Sequence, residues 1–385
     1  MFLKAEIEYK KKVNNMKAAP HRHTPAIIKL SAIENNVKKM REHIGDKPEL
    51  WAVVKANAYG HGAVAVAQHI DGLVDGFCVS NFDEAIELRQ QLIIKPILVL
   101  SGIVPDHAEI AASQHITLTA PSLKWLQQVI DSNKNKHFSR LRIHIAVDTG
   151  MGRIGVTTAE EANQIIELAD QYNISVRGIF THYATADEED TTQFKEQKAK
   201  FDALVSQLSR RPKYVHSTNS AAGLWQNQEV QDIERIGLAM YGLNPSGDEL
   251  ALPYELEPAL SLHSELTHVK KIHKGDTVGY GATFRAEEDT YVGTVSIGYA
   301  DGWTRDMQGF KVIVDGQYCE IIGRISMDQM TIRLPKNYEM GTQVTLIGKN
   351  GDKEITVQDI ANWRHTIGYE VICLLSDRIY RVYEE

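Results

Sequence analysis

Short apolar runs alternate, through the first two thirds of the chain, with longer segments whose apolar residues recur every three or four positions. Runs of the first kind predict buried β-strands, and segments of the second kind predict amphipathic helices. The pattern predicts eight strands, which are Leu50–Ala56, Asp75–Ser80, Ile97–Ser101, Ile116–Ala120, Arg140–Thr149, Val176–Tyr183, Tyr214–Ser220 and Ile233–Met240.

Helical periodicity lies between most of these strands. The predicted helices are Asp83–Leu92, Leu123–Asn133, Thr158–Tyr172 and Asp190–Leu208, with a leading helix at Ala32–Ile44. Eight strands separated by helices over about 200 residues predict an α/β fold, a (β/α)8 TIM-like barrel. The leading helix is expected to pack outside the barrel.

The pattern changes after Glu255, where short β-rich runs dominate. A single helix is predicted at Val357–Trp363, and Val314–Gln317 has the Asp-Gly signal of a tight hairpin turn. We therefore predict an N-terminal extension at 1–22, a barrel at 23–250 and a C-terminal all-β domain at 251–385. The predicted β runs are Leu262–Ile272, Tyr291–Tyr299, Lys311–Val314, Cys319–Ile322, Met330–Leu334, Gln343–Ile347 and Ile372–Val382.

Composition restricts the function classes. A net charge of −8 argues against a general nucleic-acid binder, and no apolar run reaches the length of a membrane span. The extension has no apolar core of the kind found in signal peptides. Three cysteines, Cys78, Cys319 and Cys373, are far apart and odd in number, which indicates reduced thiols and no metal site. We expect a cytoplasmic protein.

A lysine at the end of a predicted strand is the first candidate for chemistry. Lys55 follows the apolar run Leu50–Val54 and precedes a loop rich in Gly, His and Tyr. A lysine at the end of a buried strand is costly to desolvate unless it is paired or chemically used, for example in a Schiff base to an aldehyde cofactor. Taken alone, Lys55 is better explained as a side chain that reaches solvent from a strand end.

A second candidate is the G-x-G-x-x-G pattern of Gly150–Gly155, which follows a strand and precedes a helix. That order is typical of a dinucleotide-binding turn, so a Rossmann enzyme is a competing interpretation. Against it, the pattern occurs in the fifth of eight strand–helix units, and it leaves Lys55 and the β-rich C-terminus unexplained.

Polar clusters follow several barrel strands. They are Asp148–Arg153, Thr181–Asp187, His216–Ala222 and Arg235–Leu238. Active sites of barrels lie at the C-terminal ends of the strands, often with a phosphate near the last two loops. Ser220 and the backbone amides of Gly237 and Leu238 are candidates to hold it.

Taken singly, these residues have ordinary structural interpretations. Arg235 is consistent with a surface ion pair, His182 with a hydrogen-bonded core histidine, and Ser220 with a helix cap. Together, on one face of a barrel, they favour a functional site.

The chain resembles the alanine racemase family from His23 to its C-terminus. The motifs that carry the resemblance occur in the family's order, and they are AVVKANAYGHG, DTGMGRIGV, THYATADE, HSTNSAAG, ERIGLAMYG, VGYGATF, SIGYADGW, GRISMDQ and IGYEV. The resemblance implies an isomerase with pyridoxal 5'-phosphate as cofactor, an amino acid as substrate, and a homodimer whose β domain completes the partner's active site. It also implies a supply of D-alanine for peptidoglycan.

The resemblance also assigns roles to residues. Lys55 and Tyr280 match the two catalytic bases, and Lys55 also matches the residue bonded to the cofactor. Other matches are cofactor contacts (Tyr59, His182, Ser220, Arg235, Gly237, Leu238 and Tyr369), substrate-carboxylate contacts (Arg153 and the Met327 backbone) and entrance residues (Tyr299 and Asp328). No metal is implied.

The chemistry of racemisation agrees with these roles. The α-hydrogen is removed on one face of the cofactor and returned on the other, which requires two bases on opposite faces. Tyrosine is a weak base at its ordinary pKa of about 10, so nearby cations or hydrogen-bond donors must stabilise its anion. An arginine against the ring nitrogen, here Arg235, keeps that nitrogen unprotonated and favours racemisation over decarboxylation.

One position departs from the family. Many alanine racemases have a carbamylated lysine two residues before the Asp of the DTGMGR segment, and this chain has Ala146 there. We hypothesise that an anion such as chloride, or another side chain, supports Arg153 instead.

Two rivals remain at this stage. A barrel protein that only carries the cofactor would lack the β domain, and therefore Tyr280, Met327 and Tyr369. A broad-specificity racemase usually has a signal peptide and paired cysteines. Serine stays open as a side substrate, because a small pocket rejects one extra hydroxyl poorly.

Overall fold

The computed structural model describes residues 18–132, 141–226 and 231–385. The chain divides into two compact units, one of residues 29–259 and one of residues up to 28 together with 260–384. We call them the barrel unit and the β unit. Residues 1–17 of the predicted extension lie outside the described residues. Residues 23–28, which the sequence boundaries assign to the barrel, belong to the β unit.

The barrel unit contains an eight-stranded parallel sheet. The first strand of the chain, β1 (Ala26–Lys29), pairs in the other unit, so the barrel begins at the second. Its strands are β2 (Glu49–Val53), β3 (Gly76–Val79), β4 (Ile97–Val99), β5 (Ile116–Ala120), β6 (Arg142–Ala146), β7 (Ser175–Phe180), β8 (Tyr214–His216) and β9 (Ile233–Ile236). Neighbours along the chain pair in parallel from β2 to β8, and β9 pairs with β2.

The barrel closes between β8 and β9. Asn219 and Arg235 form an isolated parallel bridge, and the Arg235 N–H donates to the Thr218 carbonyl at 3.2 Å. The helices of this unit are Leu30–Ile44, Ala63–Ile70, Phe82–Gln90, Ala108–Ser113, Leu123–Ser132, Ala159–Gln171, Thr192–Ser206 and Ser220–Trp225, with short 3-10 turns at Pro105–His107 and Leu238–Tyr241.

The predicted TIM-like barrel and its eight strands are confirmed. Several predicted strands run too far at their C-terminal ends; the eighth, Ile233–Met240, ends at Ile236. The reason is that the polar residues after each strand leave the sheet to form the loops of the barrel's C-terminal face. Thr158 caps the helix that follows it, since its hydroxyl accepts from the Glu161 N–H as the sequence indicates.

The β unit is built from antiparallel strands and β1. These are β10 (Leu260–Ile272), β11 (Thr277–Val278), β12 (Phe284–Arg285), β13 (Thr290–Val295), β14 (Lys311–Val314), β15 (Gln317–Ile322), β16 (Met330–Leu334), β17 (Gln343–Asn350), β18 (Lys353–Ile355) and β19 (Arg381–Glu384). Eight of these strands and β1 form one nine-stranded sheet, in which β10 also pairs with β17. The strands β11 and β12 form a separate hairpin. The predicted turn between β14 and β15 is confirmed, with positive φ at Asp315 and Gly316.

The helix content of the β unit differs from the prediction. The expected helix is present as Val357–Arg364, but a second helix, Gly368–Cys373, overlaps the start of the predicted β run Ile372–Val382. Only Arg381–Glu384 of that region is a strand. The helix is too short for its periodicity to be recognised among β-branched residues. This unit also has 3-10 turns at Pro20–Arg22, Tyr280–Ala282, Tyr299–Asp301 and Arg305–Met307.

Among the described residues, no helix is both long enough and apolar enough to cross a membrane.

Candidate active site

Lys55 lies two residues beyond the end of β2 and begins a left-handed turn. Ala56, Asn57, Ala58 and Tyr59 all have φ between 52° and 54°. L-residues adopt this conformation at a cost of about 1–2 kcal/mol each, so surrounding contacts must hold the segment.

Hydrogen bonds on both sides hold this turn. The Ala56 N–H donates to the Glu84 carboxylate at 2.8 Å, and the Asn57 side chain accepts from the Ala63 N–H at 2.9 Å. The Gly62 N–H donates to the Asn57 carbonyl at 2.8 Å. The turn directs Tyr59 back into the barrel, where its ring is buried against Tyr241.

The predicted phosphate residues of the barrel lie together at the ends of β8 and β9. The Gly237 N–H donates to the Ser220 hydroxyl at 2.7 Å, so this amide is engaged by Ser220 itself. A Cβ atom at Gly237 would lie 2.9 Å from the Tyr59 hydroxyl, which leaves room only for glycine. Leu238 follows at once and is buried. Tyr59, Ser220, Gly237 and Leu238 therefore form one small polar cradle.

Arg235 is buried inside the barrel and donates hydrogen bonds to several acceptors. They are His216 Nδ1 at 2.6 Å, the Ser217 carbonyl at 3.0 Å, the Thr181 carbonyl at 3.1 Å and His182 Nδ1 at 3.4 Å. The guanidinium carbon also lies 5.6 Å from the centre of the Phe180 ring.

His216 connects Arg235 to a second imidazole, that of His144. Since a guanidinium only donates, His216 Nδ1 is the acceptor and its Nε2 carries the hydrogen. That Nε2 lies 3.0 Å from His144 Nδ1. Burial, reinforced by Arg177 and Arg235, lowers the pKa of His144 to about 3, and burial lowers the pKa of His216 well below its usual value. Both imidazoles are neutral at pH 7, and they orient Arg235.

His182 lies within the electrostatic influence of three cationic side chains of the barrel unit. It is partly buried, and burial together with Arg235, Arg153 and Lys55 lowers its pKa to about 3. The charges of three predicted site residues therefore act on one neutral imidazole. An electropositive environment of this kind suits a ligand that carries phosphate or carboxylate groups.

The loop after β6 carries Arg153. Asp148 accepts hydrogen bonds from the Gly150 and Gly152 amides at 2.9 and 3.0 Å. Burial raises the pKa of Asp148, but the backbone amides of Gly152, Gly150, Arg153 and Met151 together outweigh it and hold the pKa below its ordinary value. The glycine-rich segment thus wraps around its own carboxylate. A carboxylate inside the turn would repel a dinucleotide phosphate, and the parallel sheet closes into a barrel instead of a doubly wound sheet, so the dinucleotide-binding interpretation of Gly150–Gly155 is wrong.

Arg153 itself is exposed, and its side chain has no hydrogen bond or ion pair with any residue in the described ranges. Ala146, at the position of the family's lysine, is buried at the end of β6. Our hypothesis from the sequence is that an anion or another side chain supports Arg153. Within the described part of this chain, no side chain is a candidate for that role.

The remaining predicted residues belong to the β unit. Tyr280 is at the tip of the hairpin formed by β11 and β12 and is largely exposed. The turns of Tyr299 and Met327 are hydrogen-bonded to each other: the Tyr299 and Ala300 amides donate to the Ser326 and Met327 carbonyls at 3.1 and 3.0 Å. Asp328 accepts from Arg378 at 2.6 Å.

Tyr369 lies in the helix Gly368–Cys373 of the same unit and is partly buried. No cluster of His, Cys, Asp or Glu suited to a metal ion occurs among the described residues.

Two functional features escaped the sequence analysis. His216 was part of a recognised motif but received no role, although an inward-facing position next to Arg235 across neighbouring strands was a signal. The contact of Asp148 with the glycine amides was also missed. Its signal was the Asp-x-Gly-x-Gly spacing, in which a short carboxylate bonds amides two and four residues on.

Comparisons with known proteins decide the family. The family model "Alanine racemase, N-terminal domain" matches residues 28–245, and "Alanine racemase, C-terminal domain" matches residues 259–383. The chain belongs to the alanine racemase family. It is therefore an isomerase, and the family depends on pyridoxal phosphate.

Relatives agree over their full length. An alanine racemase from Lactococcus lactis subsp. cremoris is 61% identical over 369 residues, which are 96% of this chain and 100% of that protein. The crystal structure of alanine racemase from E. faecalis is 45% identical, with a TM-score of 0.92 over 96% of this chain and 100% of that one. A histidine racemase from Leuconostoc mesenteroides is 32% identical, with a TM-score of 0.90 over 96% of this chain and 100% of that one.

The residues present fit the cofactor of this family. Pyridoxal phosphate combines a phosphate with an aromatic ring and an aldehyde that a lysine amine attacks. The barrel unit offers the polar cradle around Gly237, the imidazole of His182 and the donor Arg235. Lys55 contributes to the positive charge at His182, so an amine is present at the same site.

Proposed function

We propose that this enzyme interconverts L-alanine and D-alanine with pyridoxal 5'-phosphate as cofactor. The observation that carries the proposal is the hydrogen bond at 3.4 Å from Arg235 to the neutral imidazole of His182, whose pKa is also lowered by the charges of Arg153 and Lys55. One site thereby combines an amine for the cofactor aldehyde with positive charge for a phosphate and an amino-acid carboxylate.

The cofactor would be held by residues that follow the barrel strands and by Tyr369. Tyr59, Ser220, Gly237, Leu238 and Tyr369 would bind the phosphate, His182 would lie against the ring, and Lys55 would form the covalent bond. When bound, the cofactor withdraws electrons from the substrate's α-carbon and so acidifies its hydrogen. Arg235 has only donors to offer, so a ring nitrogen facing it stays an acceptor, which weakens electron withdrawal and limits side reactions.

Lys55 and Tyr280 would be the two bases. One of them, the neutral Lys55 amine or the Tyr280 phenolate, would remove the α-proton on its face, and the other, in its protonated form, would give a proton to the opposite face, which inverts the carbon. Arg153 and the Met327 amide would bind the carboxylate, with Tyr299 and Asp328 near the entrance.

We propose that the active enzyme is a homodimer with shared sites. Tyr280, Met327 and Ile367 are large apolar side chains of the β unit that are more than half exposed in the single chain. Exposed apolar groups of this kind are typical of interfaces. We further propose that the dimer is cytoplasmic and supplies D-alanine for peptidoglycan; D-alanine auxotrophy of a deletion strain would support the second point, and prototrophy without another racemase would contradict it.

The first experiment tests cofactor and reaction together. Purified protein supplied with pyridoxal phosphate should show the absorbance of the lysine-bound cofactor, and borohydride followed by peptide mass spectrometry should find the adduct on Lys55. L-alanine, L-serine and L-histidine are then assayed for racemisation. Absence of the adduct, or histidine turned over faster than alanine, would contradict the proposal.

The shared site is tested by mixing two inactive variants. Lys55→Ala and Tyr280→Phe chains, co-expressed, should regain about a quarter of the wild-type rate, because half the dimers are mixed and each has one intact site. No recovery would mean that both bases come from one chain.

The anion hypothesis has its own test. If chloride supports Arg153, the KM for alanine should rise when chloride is replaced by gluconate and return when bromide is added. A KM that is independent of halide would contradict it.

A further inference from the structure

A fully buried carboxylate lies beneath the turns of the β unit. Asp301 is 0% exposed and accepts two hydrogen bonds from the Arg22 guanidinium, both at 2.6 Å. Arg378 Nε lies 3.4 Å from the same carboxylate, and the Gly298 N–H donates to it at 2.9 Å. A carboxylate is kept in such a place only by strong, paired donors, and a bidentate arginine is the strongest of them.

The same two arginines reach a second turn. Arg22 Nη2 donates to the Asp328 carbonyl at 2.9 Å, and Arg378 Nη2 donates to the Asp328 carboxylate at 2.6 Å. The segments that carry these arginines are themselves joined, since the Ala19 N–H donates to the Arg378 carbonyl at 3.0 Å. Asp301 and Asp328 are thus connected through two chain segments distant in sequence.

The turns above Asp301 are packed backbone to backbone. A Cβ atom at Gly298 would lie 2.4 Å from the carbonyl oxygens of both Ser326 and Met327, so only glycine permits this approach. The Ala300 N–H donates to the Met327 carbonyl at 3.0 Å. The turn of Tyr299 and the turn of Met327 therefore form one body with Asp301 at its base.

We propose that Asp301 is a positioning residue for substrate binding, acting through Arg22 and Arg378 on the Met327–Asp328 turn. A backbone amide binds a carboxylate only when its N–H points at it, and a small rotation weakens the bond. The two arginines fix Asp328, the residue after Met327, at its carbonyl and at its side chain. This inference deepens the proposed function and rests on the Met327 amide as a carboxylate contact.

The test uses Arg22→Gln in the full chain with its cofactor. We expect the KM for L-alanine to rise about tenfold, as for one lost charged hydrogen bond, with kcat nearly unchanged. Propionate carries the carboxylate of alanine without its amino group, so its competitive Ki should rise by the same factor. Arg22→Lys keeps the charge without the bidentate geometry, so its KM and Ki should lie between those of wild type and those of Arg22→Gln. The cofactor absorbance should not change.

Arg333→Gln is the matched control, because it breaks the exposed pair of Arg333 with Glu320 in the same unit and should leave KM and Ki unchanged. Arg378→Gln spares the bidentate pair of Arg22 and keeps the test available if Arg22→Gln does not fold. A lower melting temperature with wild-type KM and Ki in both variants would overturn the positioning role. Absence of alanine racemisation by the wild-type enzyme would instead count against the proposed function.

Discussion

The barrel unit and the β unit hold their candidate groups in opposite ways. In the barrel unit, Arg235 is 3% exposed and Tyr59 is 6% exposed, and both are enclosed by the fold. In the β unit, Tyr280 is 71% exposed and Met327 is 53% exposed. The cofactor contacts Arg235 and Tyr59 are thus fixed by the packing of the barrel, whereas Tyr280 and Met327 are presented on a surface.

This difference means that a substitution at a candidate residue should change stability in the barrel unit but not in the β unit. A buried donor such as Arg235 has hydrogen-bond partners that would be left unsatisfied without it, so its role and the stability of the barrel are coupled. An exposed side chain such as Tyr280 contributes little to the stability of the fold. Its position is fixed by the backbone of the hairpin that carries it. Substitutions should therefore affect the two units differently.

The largest expected effect is that of Lys55→Ala. Because the amine would both bond the cofactor and move a proton, its loss should lower the racemisation rate at least about 10⁴-fold. The absorbance of the lysine-bound cofactor should disappear as well. Lys200→Ala, at an exposed position of the helix Thr192–Ser206, is the control and should behave as wild type. Residual racemisation above about 1% would show that Lys55 is not essential.

Tyr280→Phe should separate activity from everything else. We expect kcat to fall by about 10²–10⁴, with the cofactor absorbance and the melting temperature unchanged, because only one exposed hydroxyl is removed. Tyr318→Phe removes another exposed tyrosine hydroxyl of the β unit and should leave kcat intact. A large drop in melting temperature in Tyr280→Phe would break the contrast between the units.

Sequence reasoning succeeded where a pattern was repeated. Buried parallel strands are rich in apolar and β-branched residues, so the run Ile116–Ala120 was recognised with the bounds that the structure has. It failed where conformation depends on contacts from elsewhere. Nothing in Ala56-Asn57-Ala58 indicates positive φ, because the hydrogen bond from Ala56 to Glu84 arises only in the folded chain.

The candidate site shows the same limit. Motifs singled out Arg235 and Ser220, whose roles stay predictions. Motifs did not show that Arg22 and Arg378 meet at Asp301, since partners far apart in the chain leave no local signal in one sequence.

Acid should weaken the barrel through its buried imidazoles. The folded pKa of His144 is about 3, below the unfolded value of about 6.5, so the unfolded chain binds the extra proton as pH falls and stability is lost. Between pH 6.5 and 5.0 this amounts to about 2 kcal/mol for His144, and the lowered pKa of His216 adds a loss in the same direction. The effect fades above pH 6.5, because the histidines of the unfolded chain are then mostly deprotonated. Urea unfolding at pH 7 and pH 5 measures it.

His144→Gln sharpens that result, because glutamine can accept from His216 but does not titrate. The variant should lose about 2 kcal/mol less than wild type on going from pH 6.5 to pH 5.0. His268→Gln replaces an exposed histidine of the β unit and is the matched control, which should lose as much stability in acid as wild type. Equal acid sensitivity in His144→Gln and wild type would mean that the loss arises outside the barrel interior.

The smallest effect tests the left-handed turn that follows Lys55. Ala56 is exposed with φ of 52°, so Ala56→Gly removes strain without removing packing and should raise the free energy of unfolding by up to about 1 kcal/mol. Ala203→Gly, at an exposed position in the helix Thr192–Ser206, should lower it by about 1 kcal/mol. Urea unfolding of both variants decides the sign. Opposite signs mean that the barrel unit stores backbone strain beside its candidate base, whereas equal losses would mean that Ala56 is in an ordinary helix.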